Sequence, residues 1–229
     1  MATSLLSIVL PVHNQHDHLA RIVDEYAAGL APLPVAHEML LVANGCRDDS
    51  LAICHALAER HLGVRALECE PAGWGGAVRT GLAAARGDLL CYTNLARTSA
   101  ADLLLLVRYA LGSPDVVIKA NRKIREGWRR RAGSLLYNLE CRTLFDLSCW
   151  DVNGTPKVFP RRFDALLHLC EQGDLVDAEF VAACRREHYP MLEVPIFSSR
   201  RHGGRSTTGY GSALRMYWGA YRLWRSGPR

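Results

Sequence analysis

The sequence predicts an α/β fold: a single domain with a mostly parallel central sheet flanked by helices. Two observations predict it. Apolar runs of strand length alternate with helical patterns over the first 120 residues, and nearly every run ends in small or polar residues. In addition, 229 residues that are 49% hydrophobic and 22% charged are enough to bury one large core.

Leu5 to Val12 (LLSIVLPV) is a continuous apolar run of the kind a buried parallel strand shows, and it ends at Pro11-Val12-His13-Asn14. A helix follows from about His18 to Leu30. Val35 to Ala43 is the second strand, stopped by the turn signal Asn44-Gly45, and Asp48-Asp49-Ser50 can cap a helix to His61. Val64 to Cys69 is the third. Pro71 to Gly76 then reads as a glycine-rich turn into a helix over 77–86. The fourth strand, Leu89 to Tyr92, runs into Thr93-Asn94-Leu95-Ala96-Arg97 before a helix that starts at Ser99 with Asp102 in its first turn. Helix 100–111 and strand Val116 to Lys119 complete the alternation. Beyond them the pattern predicts a long helix over 129–145 and a short strand at Lys157 to Phe159. Helices over 161–171 and 177–187, a strand from Met191 to Phe197 and a loop at 200–206 follow.

Charge is unevenly placed. Residues 119–131 hold seven Lys or Arg against one Glu, and residues 200–229 hold seven Arg and no acid, so the rest of the chain is net negative despite the overall +5. Two basic segments predict a surface for an anionic partner such as a phosphate or a lipid head group. No recognition helix or aromatic RNA-binding motif accompanies them, so nucleic acid is not expected. The eight cysteines form no CxxC pair and several lie in apolar patterns, as reduced thiols of a cytosolic protein do. His13, His16 and His18 have no further ligands converging on them, so no zinc site is expected.

The tip after the fourth strand raises the main question. Ligands of open α/β sheets sit at the carboxyl ends of strands. Yet between Asp88 and Asp102 the only ionisable side chains are Cys91, Tyr92 and Arg97.

Six motifs in one order bear on that tip: PVHN at 11–14, LVANGCRDDS at 41–50, GWGGAVRTGLAAARGD at 73–88, DVNGTPKVF at 151–159, LVDAEF at 175–180 and YPMLEVPI at 189–196. Together they resemble an inverting glycosyltransferase of family 2 with the GT-A (Rossmann-like) fold, within its polyprenyl phosphate sugar synthase branch. The resemblance covers about residues 5–207 and implies a domain over 1–210; the segment 211–229 beyond it is expected to be a C-terminal helix. It also implies sugar transfer from a nucleoside diphosphate sugar to an acceptor, a polyprenyl phosphate among the candidates, at the cytoplasmic face of a membrane. For donor binding it points to Pro11, His13, Asn14, Asn44, Gly76, Asn94 and Arg122, and for acceptor or phosphate binding to Arg130, Arg131, Arg201 and Ser206. Asp151 and Asp177 match the family's catalytic-side acids. With a phosphate acceptor, already ionised, no general base is required and Asp151 would orient an arginine or the acceptor. With a hydroxyl acceptor, either acid becomes the base candidate. Asp177 also reads as a helix N-cap.

Two departures stand out. Ala43-Asn44 replaces an acid pair that reads base and ribose, and an amide presents both a donor and an acceptor where a carboxylate only accepts. Asn94-Leu95-Ala96, or Thr93-Asn94-Leu95 if the register slips by one, replaces the family's Asp-x-Asp, which holds Mg²⁺ or Mn²⁺ against the diphosphate. That leaves no metal ligands here; Arg97 is expected either to supply the positive charge instead or to be a surface arginine near a helix start. These losses keep a second reading open, a non-catalytic relative that binds a nucleotide, a sugar or a partner protein. Finally, Leu214, Tyr217, Trp218, Tyr221 and Trp224 follow helical spacing with Arg215, Arg222 and Arg225 beside them. Such a helix suits a membrane surface, or docking on the domain or on a second subunit.

Overall fold

A computed structural model describes residues 5–70, 72–123, 128–197 and 210–226, with side chains throughout except at 128–131, 210–214 and 226. The elements run β1 (Leu5–Val12), α1 (Leu19–Leu30), β2 (Ala36–Asn44), α2 (Ser50–Arg60), β3 (Val64–Cys69), α3 (Trp74–Ala84), β4 (Leu89–Tyr92) and α4 (Ala100–Gly112). They continue with β5 (Val117–Arg122), α5 (Trp128–Phe145), β6 (Lys157–Pro160), α6 (Val176–Arg186), β7 (Met191–Ile196) and α7 (Tyr210–Ser226). The seven strands form one sheet in the order β3-β2-β1-β4-β6-β5-β7. All pairings are parallel except those of β6, which lies antiparallel between β4 and β5. The chain winds outward from β1 to β3 and then returns to place β4 on the other side of β1. The carboxyl ends of β1 and β4 therefore flank the crevice where open α/β sheets take ligands.

One apolar layer packs between the sheet and α1, α2 and α4, through residues such as Ile8, Leu10, Tyr26 and Leu103. The other packs beneath α3, α5 and α6, through Val9, Tyr92, Phe159 and Phe180. Burial pushes the thiols of Cys54, Cys141 and Cys184 up to about 12, so none of them is a thiolate nucleophile near neutrality.

Three local expectations need correction. The helix expected over 77–86 begins earlier, at Trp74, and takes in Gly75 and Gly76. Its first turn presses on the segment 171–173 so closely that a Cβ at Gly75 would collide with the Glu171 carbonyl. The glycines serve that approach rather than a turn. The helix expected over 161–171 is only a 3₁₀ turn, Asp164–Leu166. Arg161 is tied to the carbonyls of Ala85 and Gly87 at 2.7 and 2.6 Å. The Glu179 carboxylate draws off the Cys170 and Glu171 N–H groups, both at 2.8 Å, that a helix would need. Lys119, read as part of a basic surface, is fully buried.

The aromatic stripe of α7 divides between two environments. Met216, Tyr217 and Leu223 pack on the core beside the buried Ala220. Tyr217 meets the Tyr137 ring edge-on at 5.7 Å and donates its hydroxyl to the Gly133 carbonyl on α5. Trp218, Tyr221 and Trp224 face outward, 64%, 36% and 44% exposed.

Candidate active site

The polar groups at the ends of β1 and β2 are fixed by a chain of hydrogen bonds whose direction can be derived. The Arg47 N–H donates to Asn14 Oδ1 at 2.8 Å, so Asn14 Nδ2 faces His13 Nε2, 3.2 Å away. His13 Nδ1 lies 2.7 Å from the Asn44 carbonyl, which can only accept, so the proton sits on Nδ1 and Nε2 is the acceptor. Asn14 takes a left-handed φ of 51° to make these contacts, a conformation asparagine tolerates. Asn44 Oδ1 accepts from the Gly73 N–H at 2.6 Å, where α3 begins. The acceptor end of the Asn44 amide is thus engaged within the protein, and the group it has left for a ligand is the Nδ2 donor. Gly76 is committed too: its N–H donates to the Gln172 carbonyl at 2.9 Å, which leaves it no amide to offer a phosphate.

The tip after β4 is a closed turn. Asn94 Oδ1 accepts from the Ala96 N–H at 3.1 Å, and the Asn94 carbonyl accepts from Arg97 and Thr98, both at 3.0 Å. Leu95 is wholly buried and Ala96 nearly so, with Leu95 part of the core. A divalent cation takes several oxygen ligands, preferably anionic. One amide oxygen already in use, a buried leucine and an alanine do not fit it. Among the described residues no three His, Cys, Asp or Glu side chains gather as a metal site would need.

The acidic residues lie on the other half of the sheet. Asp151, almost fully buried, takes Arg122 side-on: Nε to Oδ2 and Nη2 to Oδ1, both 2.8 Å, with the Arg122 N–H adding a third bond at 3.0 Å. The main chain of Asp151 is clamped by residues that the motif reading passed over. Glu193 on β7 accepts from the Asp151 and Trp150 N–H groups at 3.0 and 2.9 Å. Lys119 on β5 bonds Glu193 at 2.8 Å and also donates to the Asp151 carbonyl. Lys119 holds the Glu193 carboxyl below its ordinary value, against the upward push of burial.

Asp177 is not a helix cap. The N-cap of α6 is Leu175, and Asp177 turns inward to Lys157 Nζ, Tyr92 OH (2.8 Å) and Trp74 Nε1 (3.1 Å). Lys157 is wholly buried against the rings of Tyr92 and Phe180, its Nζ 5.2 and 5.4 Å from their centroids. Lys119 and Lys157 face each other across the antiparallel pairing of β5 and β6, which joins the two acid clusters into one row of buried ion pairs. A clue to them was present: a lysine inside an apolar strand run, as in VVIKA and PKVF, is costly unless paired.

Pro11 lies at the carboxyl end of β1, paired with Val42 on β2, on the half of the sheet that carries His13 and Asn44. Arg97 stands at the tip, half-buried. The side chains of Arg130 and Arg131, and the whole of Arg201 and Ser206, lie outside the described residues.

An open sheet with one reversed strand between β4 and β5, and polar groups gathered at the strand ends, defines the class as GT-A. The chain belongs to glycosyl transferase family 2, whose model matches residues 7–167. It is similar to an undecaprenyl-phosphate 4-deoxy-4-formamido-L-arabinose transferase of Sodalis glossinidius, 26% identical over 211 residues, which cover 90% of this chain and 63% of the relative. The Enterobacter sp. protein of the same name is 24% identical over 206 residues, 88% of this chain and 62% of its own. The chain therefore spans somewhat less than two thirds of these relatives. Among solved structures it resembles a mycobacterial protein with a TM-score of 0.76, at 19% identity over 99% of this chain and 76% of that one. It also resembles glucosyl-3-phosphoglycerate synthase from Mycobacterium tuberculosis in complex with Mn²⁺, UDP and phosphoglyceric acid, with a TM-score of 0.74, at 17% identity over 99% and 80% of the two chains. At these identities the likeness speaks for the fold.

Proposed function

We propose that the protein transfers a sugar, with inversion, from a nucleoside diphosphate sugar to a polyprenyl phosphate, without a divalent cation. In the step, an acceptor phosphate oxygen forms a bond to the anomeric carbon as the carbon–oxygen bond to the diphosphate breaks, and the departing diphosphate keeps the electron pair. The observation that carries the choice of acceptor is the commitment of both acids. Asp151 is paired to Arg122, and Asp177 to Lys157, Tyr92 and Trp74. An ion-paired carboxylate is a poor base, so an acceptor that arrives ionised suits this site better than a hydroxyl. The names of the Sodalis and Enterobacter relatives support the same acceptor class. In this reading Arg97 and Arg122 meet the charge that develops on the diphosphate, and Asp151 orients Arg122.

The test is product formation from UDP-, GDP-, CDP- and dTDP-sugars with undecaprenyl phosphate in detergent, with Mg²⁺ or with EDTA. Transfer is expected to be indifferent to EDTA and to fall about 100-fold in Arg97→Ala. Inhibition by EDTA would return the reaction to a cation. The closed turn at Asn94-Leu95-Ala96 favours a second reading, nucleotide binding without turnover, and binding with no product under any condition would select it.

The outward face of α7 supports a site of action at a membrane surface. Trp218, Tyr221 and Trp224 form a ladder with ring centroids 5.6 and 5.9 Å apart, beside Arg222 and Arg225. Aromatic rings with basic neighbours favour an anionic lipid interface. Among the described residues no helix is long and apolar enough to cross a membrane. Deleting α7 would uncover core, so the sharper test is Trp218→Ser/Trp224→Ser. It is expected to lower co-sedimentation with phosphatidylglycerol vesicles about tenfold at unchanged thermal stability. Equal sedimentation would reject the surface role.

A further inference from the structure

The inner flank of α7 carries a second feature. At Gly219 the helix lies flush on Leu175, where a Cβ would collide with the leucine side chain, so α7 is drawn against the segment 171–175 that leads into α6. Beside that contact opens a groove of about 620 Å³. Leu175, Leu223 and Trp218 wall it, and Arg215, Arg222 and Arg225 edge it. Among the described residues that line it, Glu171 is the one acid. Arg222 interacts with Glu171, and Arg215 with Asp174 nearby. Three guanidinium groups against two carboxylates, Glu171 and Asp174, leave the groove net positive over an apolar wall. The volume is that of a small-ligand site, enough for a head group and the first stretch of a chain. The same segment also receives the Gly76 N–H at the Gln172 carbonyl, in the first turn of α3, where the Gly73 N–H meets Asn44.

We propose that this groove binds an anionic amphiphile, with its phosphate on Arg215 and Arg222 and its hydrocarbon along Leu175, Leu223 and Trp218. Guanidinium groups grip phosphate oxygens in pairs, and an indole face covers hydrocarbon while its edge stays wet. The inference rests on the transfer reading for what the amphiphile is, the polyprenyl phosphate acceptor. It would enter beside the end of α6 that carries Asp177.

The test titrates octyl phosphate, octanol and inorganic phosphate into the full chain by calorimetry. Octyl phosphate is expected to bind at least about tenfold more tightly than either of the others, since each lacks one half of the match. Arg215→Ser/Arg222→Ser, both at exposed positions, is expected to remove that advantage and leave octanol binding unchanged. Octanol binding as tightly as octyl phosphate, or a double variant that matches the parent, would overturn the proposal. So would binding to phosphatidylglycerol vesicles with none to octyl phosphate, which would mean that the face reads a lipid surface alone. Titrating the same samples with UDP and CDP separates the two readings. Nucleotide binding without octyl phosphate binding removes the groove and leaves sugar transfer standing. The reverse keeps the groove and removes transfer.

Discussion

Asp151→Asn is expected to cost about 3 kcal/mol of stability and to lower sugar transfer at least about 100-fold. The substitution keeps the shape of the side chain and removes its charge. Asn can accept from Arg122 at one atom only, and its NH₂ group then faces a guanidinium donor where a carboxylate oxygen accepted at 2.8 Å. Arg122 would keep its charge at the end of β5 without its partner, and breaking a pair from one side is the costly way to break it. The estimate sits at the low end of the range for buried pairs because the Arg122 side chain is 23% exposed and water can reach it. Urea unfolding gives the stability change, and single-turnover transfer gives the rate. The clamp by Glu193 and Lys119 on the main chain should hold residue 151 in place, so the loss of rate should exceed what the unfolded fraction explains. A variant within about 1 kcal/mol of the parent that retains full transfer would show that the pair has no part in the reaction.

Much of the fold was legible because a buried parallel strand leaves a plain mark, an apolar run such as LLSIVLPV bounded by turn residues. Ser99 shows the same clarity at a helix start, where its side chain accepts from the Asp102 N–H as its position predicts. Partners were harder to read. Four residues, KVFP, mark a short strand but do not say that it runs against its neighbours, since direction is set by the connection and not by the run. The site was legible as motifs and not as bonds. Asp151 and Asp177 could be singled out, but each is completed by a residue distant in sequence, Arg122 and Lys157, and the clamp depends on Glu193 from the last strand. Lys119 was misjudged because a charge count treats every lysine as surface. Asn44 illustrates the limit in a single side chain: its residue type gives a donor and an acceptor, and only the Gly73 contact shows which one is already used.

Lys157→Met should be the most destabilising single change in the row, about 3 to 5 kcal/mol. Lys157 and Asp177 are both buried, and the methionine would fill the space beside Tyr92 and Phe180 while leaving the Asp177 carboxyl with two neutral donors and no cation. Adding Asp177→Asn should recover part of the loss, because the uncompensated charge goes and the amide oxygen can still accept from Tyr92 OH. Recovery should be incomplete, since the amide NH₂ would then face the Trp74 N–H. Sugar transfer should not return with stability, which distinguishes a site residue from a support. The pH dependence provides an independent check. Burial, reinforced by Lys119, holds the Lys157 amine below the ordinary lysine value of 10.5. Between the lowered value and 10.5 the unfolded chain binds more protons at this residue than the folded one. The cost of keeping Lys157 charged is therefore felt in full at lower pH and relieved as pH rises through that window. The stability of the parent minus that of Lys157→Met should accordingly increase with pH on the alkaline side, a trend that urea midpoints at successive pH values would register. A difference that stayed flat, or fell, would mean that the buried amine is not held below its ordinary value.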